Sequence, residues 1–279
     1  MRLAERQRGM IRLWMLIHGI CIGVLAIFLA SALAQDRRFS GLVANVERMV
    51  APSSDQERVR ALTAFGYELV SQRRALIPYP PQRSWWENIV PSPDADLLSG
   101  SGGCGSYTSV VGRLLSRAGY PIRILQMQCG QDPGCHILLE TRLDGRWVVV
   151  DPSYNLLFSN ADGTYASFEQ LHRDFDVYAA QLPRDYNPAY RYDDARRTNW
   201  DKIPVLMPLL RQLLVLTKGE TWTAELSLRA PVLNLYWLWF YAGCALYGGA
   251  LLLLLLWRVY RRRRRRSPGA PPLRAMLPA

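Results

Sequence analysis

Cys104 follows Gly100-Ser101-Gly102-Gly103 and opens a stretch in which Val110, Val111, Leu114, Leu115 and Ala118 share one helical face, with Gly119 and Pro121 as stop signals. The spacing predicts a helix that begins at the cysteine. At a helix start, unpaired N–H groups and the positive end of the helix dipole favour a thiolate, and flanking glycines let a substrate approach closely. The N–H of Cys104 is itself a candidate donor to an oxyanion. Downstream, His136 opens one β-rich run, His136 to Leu143, and Asp151 closes another that begins at Arg146. Asp144-Gly145 between them is a two-residue hairpin signal. With Leu143 opposite Arg146, Asp151 faces Leu138, and His136 lies diagonally beside Asp151 on the same face, about 7–8 Å away. A cysteine at a helix start with a histidine oriented by an aspartate is the nucleophile, base and orienter of thiol acyl transfer. In that chemistry His136 takes the Cys104 proton, the thiolate attacks an amide or ester carbonyl, and Asp151 fixes the tautomer of His136.

The other cysteines limit the alternatives. Cys21 and Cys244 lie in apolar stretches, where a thiol packs as a small hydrophobe. Cys129 and Cys135 enclose the turn-rich Gly130-Gln131-Asp132-Pro133-Gly134 and are close enough to bridge, which leaves Cys104 unpaired; the other reading keeps all three reduced. Residues 35–230 hold three cysteines and two histidines without the paired spacings of a structural zinc site. No metal and no cofactor is expected.

These residues resemble the transglutaminase-like superfamily, a branch of the papain-like thiol enzymes, in its membrane-anchored bacterial form. The matching segments are Gly102-Gly103-Cys104 opening a helix, Gly119-Tyr120-Pro121-Ile122-Arg123 after it, His136 opening a strand, and Gly145-Arg146-Trp147-Val148-Val149-Val150-Asp151-Pro152-Ser153-Tyr154-Asn155. They cover residues 85–158, about a quarter of the chain. The resemblance implies an α+β fold with the cysteine helix packed on an antiparallel sheet, and a triad of Cys104, His136 and Asp151. Some relatives use a Trp upstream of the cysteine at the oxyanion, which makes Trp85 and Trp86 further candidates. The chain departs from the pattern after the histidine, where many relatives have an aromatic and this one has Ile137-Leu138-Leu139. Members include cross-linkers, proteases, amidases and inactive scaffolds, so the resemblance does not fix a substrate.

The elements around these motifs are membrane spans and charged ends. Among 279 residues the net charge is +11. Arg2, Arg6, Arg8 and Arg12 against Glu5 in residues 1–12, and Arg258, Arg261 to Arg266 and Arg274 in residues 258–279, account for all of it. Residues 13–257 are neutral overall, which excludes the basic face of a nucleic-acid binder. Residues 13–34 and 231–257 are uncharged and long enough to cross a bilayer, which takes about 20 apolar residues. The first also resembles a secretory signal ending at Ala32-Leu33-Ala34, although its length favours an uncleaved anchor. Arg-rich flanks mark the cytoplasmic side. Both termini are then cytoplasmic tails, contacting membrane lipid, and residues 35–230 form a domain outside a bacterial inner membrane, in the periplasm or its equivalent.

Within that domain Phe39 to Val50 has the pattern of an amphipathic helix, and Ser54-Asp55-Gln56-Glu57 is a capping box opening another to about Arg73. Pro78 to Pro81 and Pro91 to Pro93 read as loops. Ser167 to Leu182 reads as a helix with His172 on its surface, and Tyr178 to Trp200 either lines a groove or covers the core. Ile203 to Leu216 is apolar enough to lie on a membrane surface or on the domain. The leading expectation is a membrane-anchored thiol hydrolase or acyltransferase acting on peptide or amide bonds of envelope material. The alternative is a catalytically silent module holding a partner in an envelope or polysaccharide-assembly complex of the membrane.

Overall fold

The computed structural model describes residues 2–76, 93–99, 103–130 and 132–266. The chain divides into two compact units, Met1–Ser31 with Tyr236–Ala279, and Ala32–Leu235.

The first unit draws on two helices, α1 (Arg2–Val50) and the last helix of the chain, Leu235–Arg266. Both are long and apolar enough to cross a membrane; their most apolar windows have mean hydropathies of 2.4 and 1.8. Within this unit His18 Nδ1 and the Tyr247 hydroxyl are hydrogen-bonded at 2.6 Å, and Phe28 stacks on Trp239. The span of residues 13–34 and the amphipathic stretch from Phe39 to Val50 are one continuous helix, as Ala34 to Ser40 contains no Gly or Pro to stop it. The continuation of α1 buries Phe39, Val43 and Val46 in the second unit.

The second unit is α+β. Its next helix, α2 (Asp55–Leu76), starts as expected: the Glu57 N–H donates to Ser54 Oγ at 3.2 Å, and the Glu57 carboxylate accepts from the Ser53 N–H at 2.7 Å. Pro93, expected in a loop, instead opens the short α3 (Pro93–Ser99), at the position where a missing N–H costs nothing. Pro78 to Pro81, Trp85 and Trp86 lie outside the described residues. Helix α4 (Cys104–Arg117) is followed by Gly119 in the left-handed region, φ +95°.

Four antiparallel strands follow, β1 (Ile122–Cys129), β2 (Asp132–Leu143), β3 (Arg146–Val150) and β4 (Asp194–Arg196), in the order β3-β2-β1-β4. Asp144 and Gly145 both have positive φ, as a two-residue hairpin turn of the favoured hand requires. Leu143 lies opposite Arg146 and Leu139 opposite Val150, so Asp151 leaves β3 at the level of Leu138. On one face of the sheet Val110, Val111, Leu114 and Leu115 of α4 are buried in a core that also takes Leu139, Val148 and Val150 from the sheet and Val59, Leu62 and Val70 from α2. The approach is close at Gly112, where a Cβ would sit 2.9 Å from Leu233 Cδ1 and 3.2 Å from Leu139 Cδ2. One cation is taken into this packing. Arg113 is 2% exposed, bonds Asp36 of α1 and Asn234, and lies over the Phe39 ring.

The opposite face buries Leu125, Met127, Leu138 and Val149 under Phe158, Leu171, Tyr186 and Tyr192. Helix α5 (Phe168–Tyr178) is capped by a reciprocal pair of bonds between Ser167 and Gln170, and a 3-10 turn, Ala179–Gln181, ends the segment expected to be helical throughout. Beyond β4 come α6 (Leu206–Lys218), whose residues are not buried, α7 (Glu220–Glu225), and a 3-10 turn, Pro231–Asn234, that leads into α8 (Leu235–Arg266).

Candidate active site

Cys104 is the first residue of α4, and the residue before it, Gly103, has extended backbone angles and no side chain to cap the helix. The Ser106 N–H turns back to the Gly103 carbonyl at 2.9 Å, which leaves the N–H groups of Cys104 and Gly105 at the start of the turn. The backbone groups of Ile137 and Gly105 lie near enough to the sulfur to favour its ionised form. Thr108 Oγ1 donates to the Ile137 carbonyl at 3.0 Å, which ties this turn of α4 to β2. Strand β2 carries His136, opposite Met127 of β1. Asp151 is fixed one step beyond β3 by paired backbone bonds with Leu156, at 2.9 and 3.0 Å.

His136 and Asp151 are almost wholly removed from solvent, at 1% and 0% exposure. His136 Nε2 and Asp151 Oδ2 are 2.9 Å apart, while Asp151 Oδ1 accepts from the Ser153 N–H at 3.1 Å. The other ring nitrogen, Nδ1, is buried with no partner within ordinary hydrogen-bond range. It is the nitrogen left for Cys104, and the thiol and imidazole interact strongly enough to displace each other's titration. A pairing looser than a standard hydrogen bond is common at thiol and hydroxyl nucleophiles before substrate binds.

The displacements have opposite signs. Burial pushes the Cys104 thiol up, but the nearby His136 imidazole and its charge, with the backbone of Ile137 and Gly105, outweigh it and hold the thiol below its usual 9.0. Burial pushes His136 down, and the Asp151 hydrogen bond and charge, with the nearby Cys104 thiolate, reverse this and raise it from 6.5 to about 9. Between the lowered thiol and the raised imidazole the pair exists as thiolate and imidazolium, in a window that opens below the usual 9.0 of a thiol and closes at about 9. As the pH falls through the lower limit the thiolate is protonated, and as it rises through about 9 the imidazolium is lost.

Aromatic residues enclose the His–Asp pair. The Tyr190 ring stacks on His136 with centroids 4.3 Å apart and planes 8° from parallel, and its hydroxyl reaches the Cys135 carbonyl at 3.5 Å. Tyr154 meets the imidazole edge-on. The Tyr186 hydroxyl donates to that of Tyr192, which in turn donates to Asp151 Oδ2 at 3.5 Å. Burial, and then the charge of Asp151, raise both phenols, so they stay neutral donors to the carboxylate. The segment that read as either groove lining or core cover thus covers the back of this site. Its density of Tyr was the visible signal, but the stack on His136 depends on β4, for which the local sequence has no strong pattern.

Cys129 and Cys135 form a disulfide that joins the ends of β1 and β2, their Cα atoms 5.9 Å apart, and Cys135 immediately precedes His136. Cys104 is free and half-buried. His172 is on the surface, with Nδ1 3.1 Å from the Tyr192 carbonyl, and takes no part. Trp85 and Trp86 cannot be assigned a role, as they are outside the described residues. No group of three potential metal ligands occurs among the described residues. A cavity of about 570 Å³ adjoins Cys104, bounded by its neighbours Gly103 and Gly105, by Ile137 and Ser106, and by Lys202 and Arg229. Compared with protein families, with curated proteins and with solved structures, the chain matches none of them.

Proposed function

We propose that this protein is a thiol-dependent hydrolase or acyltransferase of the transglutaminase-like type, acting on peptide or amide bonds of envelope material outside the bacterial inner membrane. The observation that carries this reading is the combination of a lowered thiol at a helix start with an imidazole held by a buried carboxylate 2.9 Å away. Three such groups in these mutual relations are hard to account for by packing alone, since taking a carboxylate and an imidazole out of water carries a desolvation cost that apolar residues of the same volume would not. The two apolar helices and the arginine-rich ends support a two-pass arrangement with both ends in the cytoplasm.

In this mechanism the Cys104 thiolate attacks the carbonyl carbon, forming a C–S bond and an oxyanion. The N–H of Cys104, at the uncapped start of α4, donates to that oxygen. His136 gives its proton to the leaving amine as the C–N bond breaks, which leaves a thioester and neutral imidazole. Water or an amine then attacks the thioester, His136 takes its proton, and the thiolate leaves. Asp151 remains ionised and keeps the ring oriented with Nδ1 toward the sulfur.

The test is capture of the acyl intermediate. The full chain in detergent is mixed with an activated acetyl ester, quenched in acid and digested, and Cys104 is examined by mass spectrometry. An acetyl group is expected on Cys104, and its formation should fall by a hundredfold or more in His136→Ala. Ester cleavage at equal rates by the native chain and by Cys104→Ala would overturn the reading.

A further inference from the structure

The cavity beside Cys104 has an unbalanced wall. Arg229 is half-buried there and donates to Gln126 Oε1 at 2.8 Å, an oxygen it shares with Arg196 at 3.4 Å. No carboxylate among the described residues pairs with Arg229, Arg196 or Lys202. The neighbouring Arg123 and Arg197 are, by contrast, matched by Glu225 and Glu140 at 2.9 Å. A guanidinium withdrawn from water with only a neutral amide oxygen is a costly arrangement, and an anion bound beside it offsets the cost. Burial, followed by the charge of Arg196, pushes the Arg229 guanidinium down, and the anion that opposes them is the Cys104 thiolate. The acid on the cavity wall, Asp96, is turned to other work: it accepts from Ser106 Oγ at 2.8 Å. Ile124, Val232 and Leu233 add aliphatic lining, and the volume is in the range of small-ligand sites, about 300–1,000 Å³.

We propose that this cavity is the subsite for a carboxylate carried a few bonds from the scissile carbonyl, held by Arg229 with Lys202 beside it, so that the preferred acyl donors are acidic amides. The inference rests on the thiol acyl-transfer reading and adds the class of substrate to it.

Charge-matched alkylating agents separate the two ideas. The second-order rate constants of iodoacetate and iodoacetamide at Cys104 are measured on the full chain in detergent, by quantifying the Cys104 peptide so that Cys21 and Cys244 do not contribute. Both reagents attack the thiolate, so the ratio of their rates cancels the thiolate population and reports the charge of the cavity. Arg229→Gln is expected to lower the iodoacetate to iodoacetamide ratio by roughly five- to tenfold, the attraction of one half-buried charge a few ångströms away. Arg229→Lys should keep most of it, and raising NaCl from 0.1 to 0.5 M should lower the ratio of the native chain. A Cys104 that reacts readily with both reagents, at a ratio unmoved by salt and by Arg229→Gln, would overturn the subsite and leave the thiol mechanism standing. A Cys104 inert to both across pH 4 to 9 would remove both. The salt arm requires no variant, so a misfolded Arg229→Gln protein does not rescue the idea.

Discussion

Replacing Asp151 by Asn keeps the volume of a fully buried side chain and removes its charge, so the effect can be worked from the site itself. The His136 imidazolium is held from 6.5 to about 9 against the opposing pull of burial, a displacement worth about 3 kcal/mol. Asp151 heads the groups that raise it, ahead of Cys104. Losing half of that support lowers the imidazolium-to-imidazole ratio roughly tenfold, and losing all of it lowers the ratio about a hundredfold or more. Asn also brings a conflict of geometry. One oxygen of Asp151 accepts from the Ser153 N–H and the other faces His136 Nε2. If the Asn oxygen keeps the Ser153 bond, its NH2 group faces Nε2 and forces the proton onto Nδ1, where a base for Cys104 must be unprotonated. Without the imidazolium, burial dominates the Cys104 thiol and pushes it up. The assay is the rate of Cys104 alkylation by iodoacetamide from pH 4 to 10. In the native chain the rise should be centred below pH 9, and in Asp151→Asn it should move up by about a unit, with a roughly tenfold loss of rate on its rising limb. An unchanged profile in a variant that melts as the native protein does would refute the role given to Asp151.

Asp36→Ala leaves the Arg113 guanidinium buried without its carboxylate and should lower unfolding stability by about 3 kcal/mol or more, whereas Arg113→Met, which removes the buried charge itself, should cost less; denaturant titration of both compares them. Converting Cys129 and Cys135 together to Ala opens a short loop and is expected to lower stability by about 2 kcal/mol, read as a drop in melting temperature that reductant reproduces in the native chain. Alkaline phosphatase fused after Ser159 should be active in a bacterial host, as it must lie outside the cytoplasm to fold; an inactive, stable fusion would reverse the proposed topology.

The site was legible where short-range rules determine geometry. A two-residue turn at Asp144-Gly145 sets the parity of the hairpin, and that parity alone puts His136 and Asp151 on one face. The start of α4 was likewise marked by glycines and by its apolar stripe. The residues that complete the site come from further along the chain. Tyr190 reaches His136 because a three-residue strand, β4, returns the chain to the edge of β1, and Arg229 enters the cavity through a bond to Gln126 more than a hundred residues earlier. Neither pairing has a local pattern. Arg113 shows the same limit in the core: it occupies the buried face of α4 next to Leu114, and only Asp36 and Asn234, remote in sequence, make a charge tolerable there. The continuity of α1 past residue 34 was concealed by the change from apolar to charged residues, which alters what surrounds a helix without ending it.

The central claim is that Cys104 and His136 form a thiolate–imidazolium pair below the pH at which an ordinary thiol ionises. It is tested most directly by the ultraviolet absorbance of the thiolate near 240 nm, recorded as a difference between the native chain and Cys104→Ser across pH 4 to 10. The account predicts a thiolate signal that rises below pH 9, is lost on acidification, and is shifted to higher pH in the same difference taken in a His136→Ala background. A signal that emerges only at pH 9 or above, with or without His136, would contradict it.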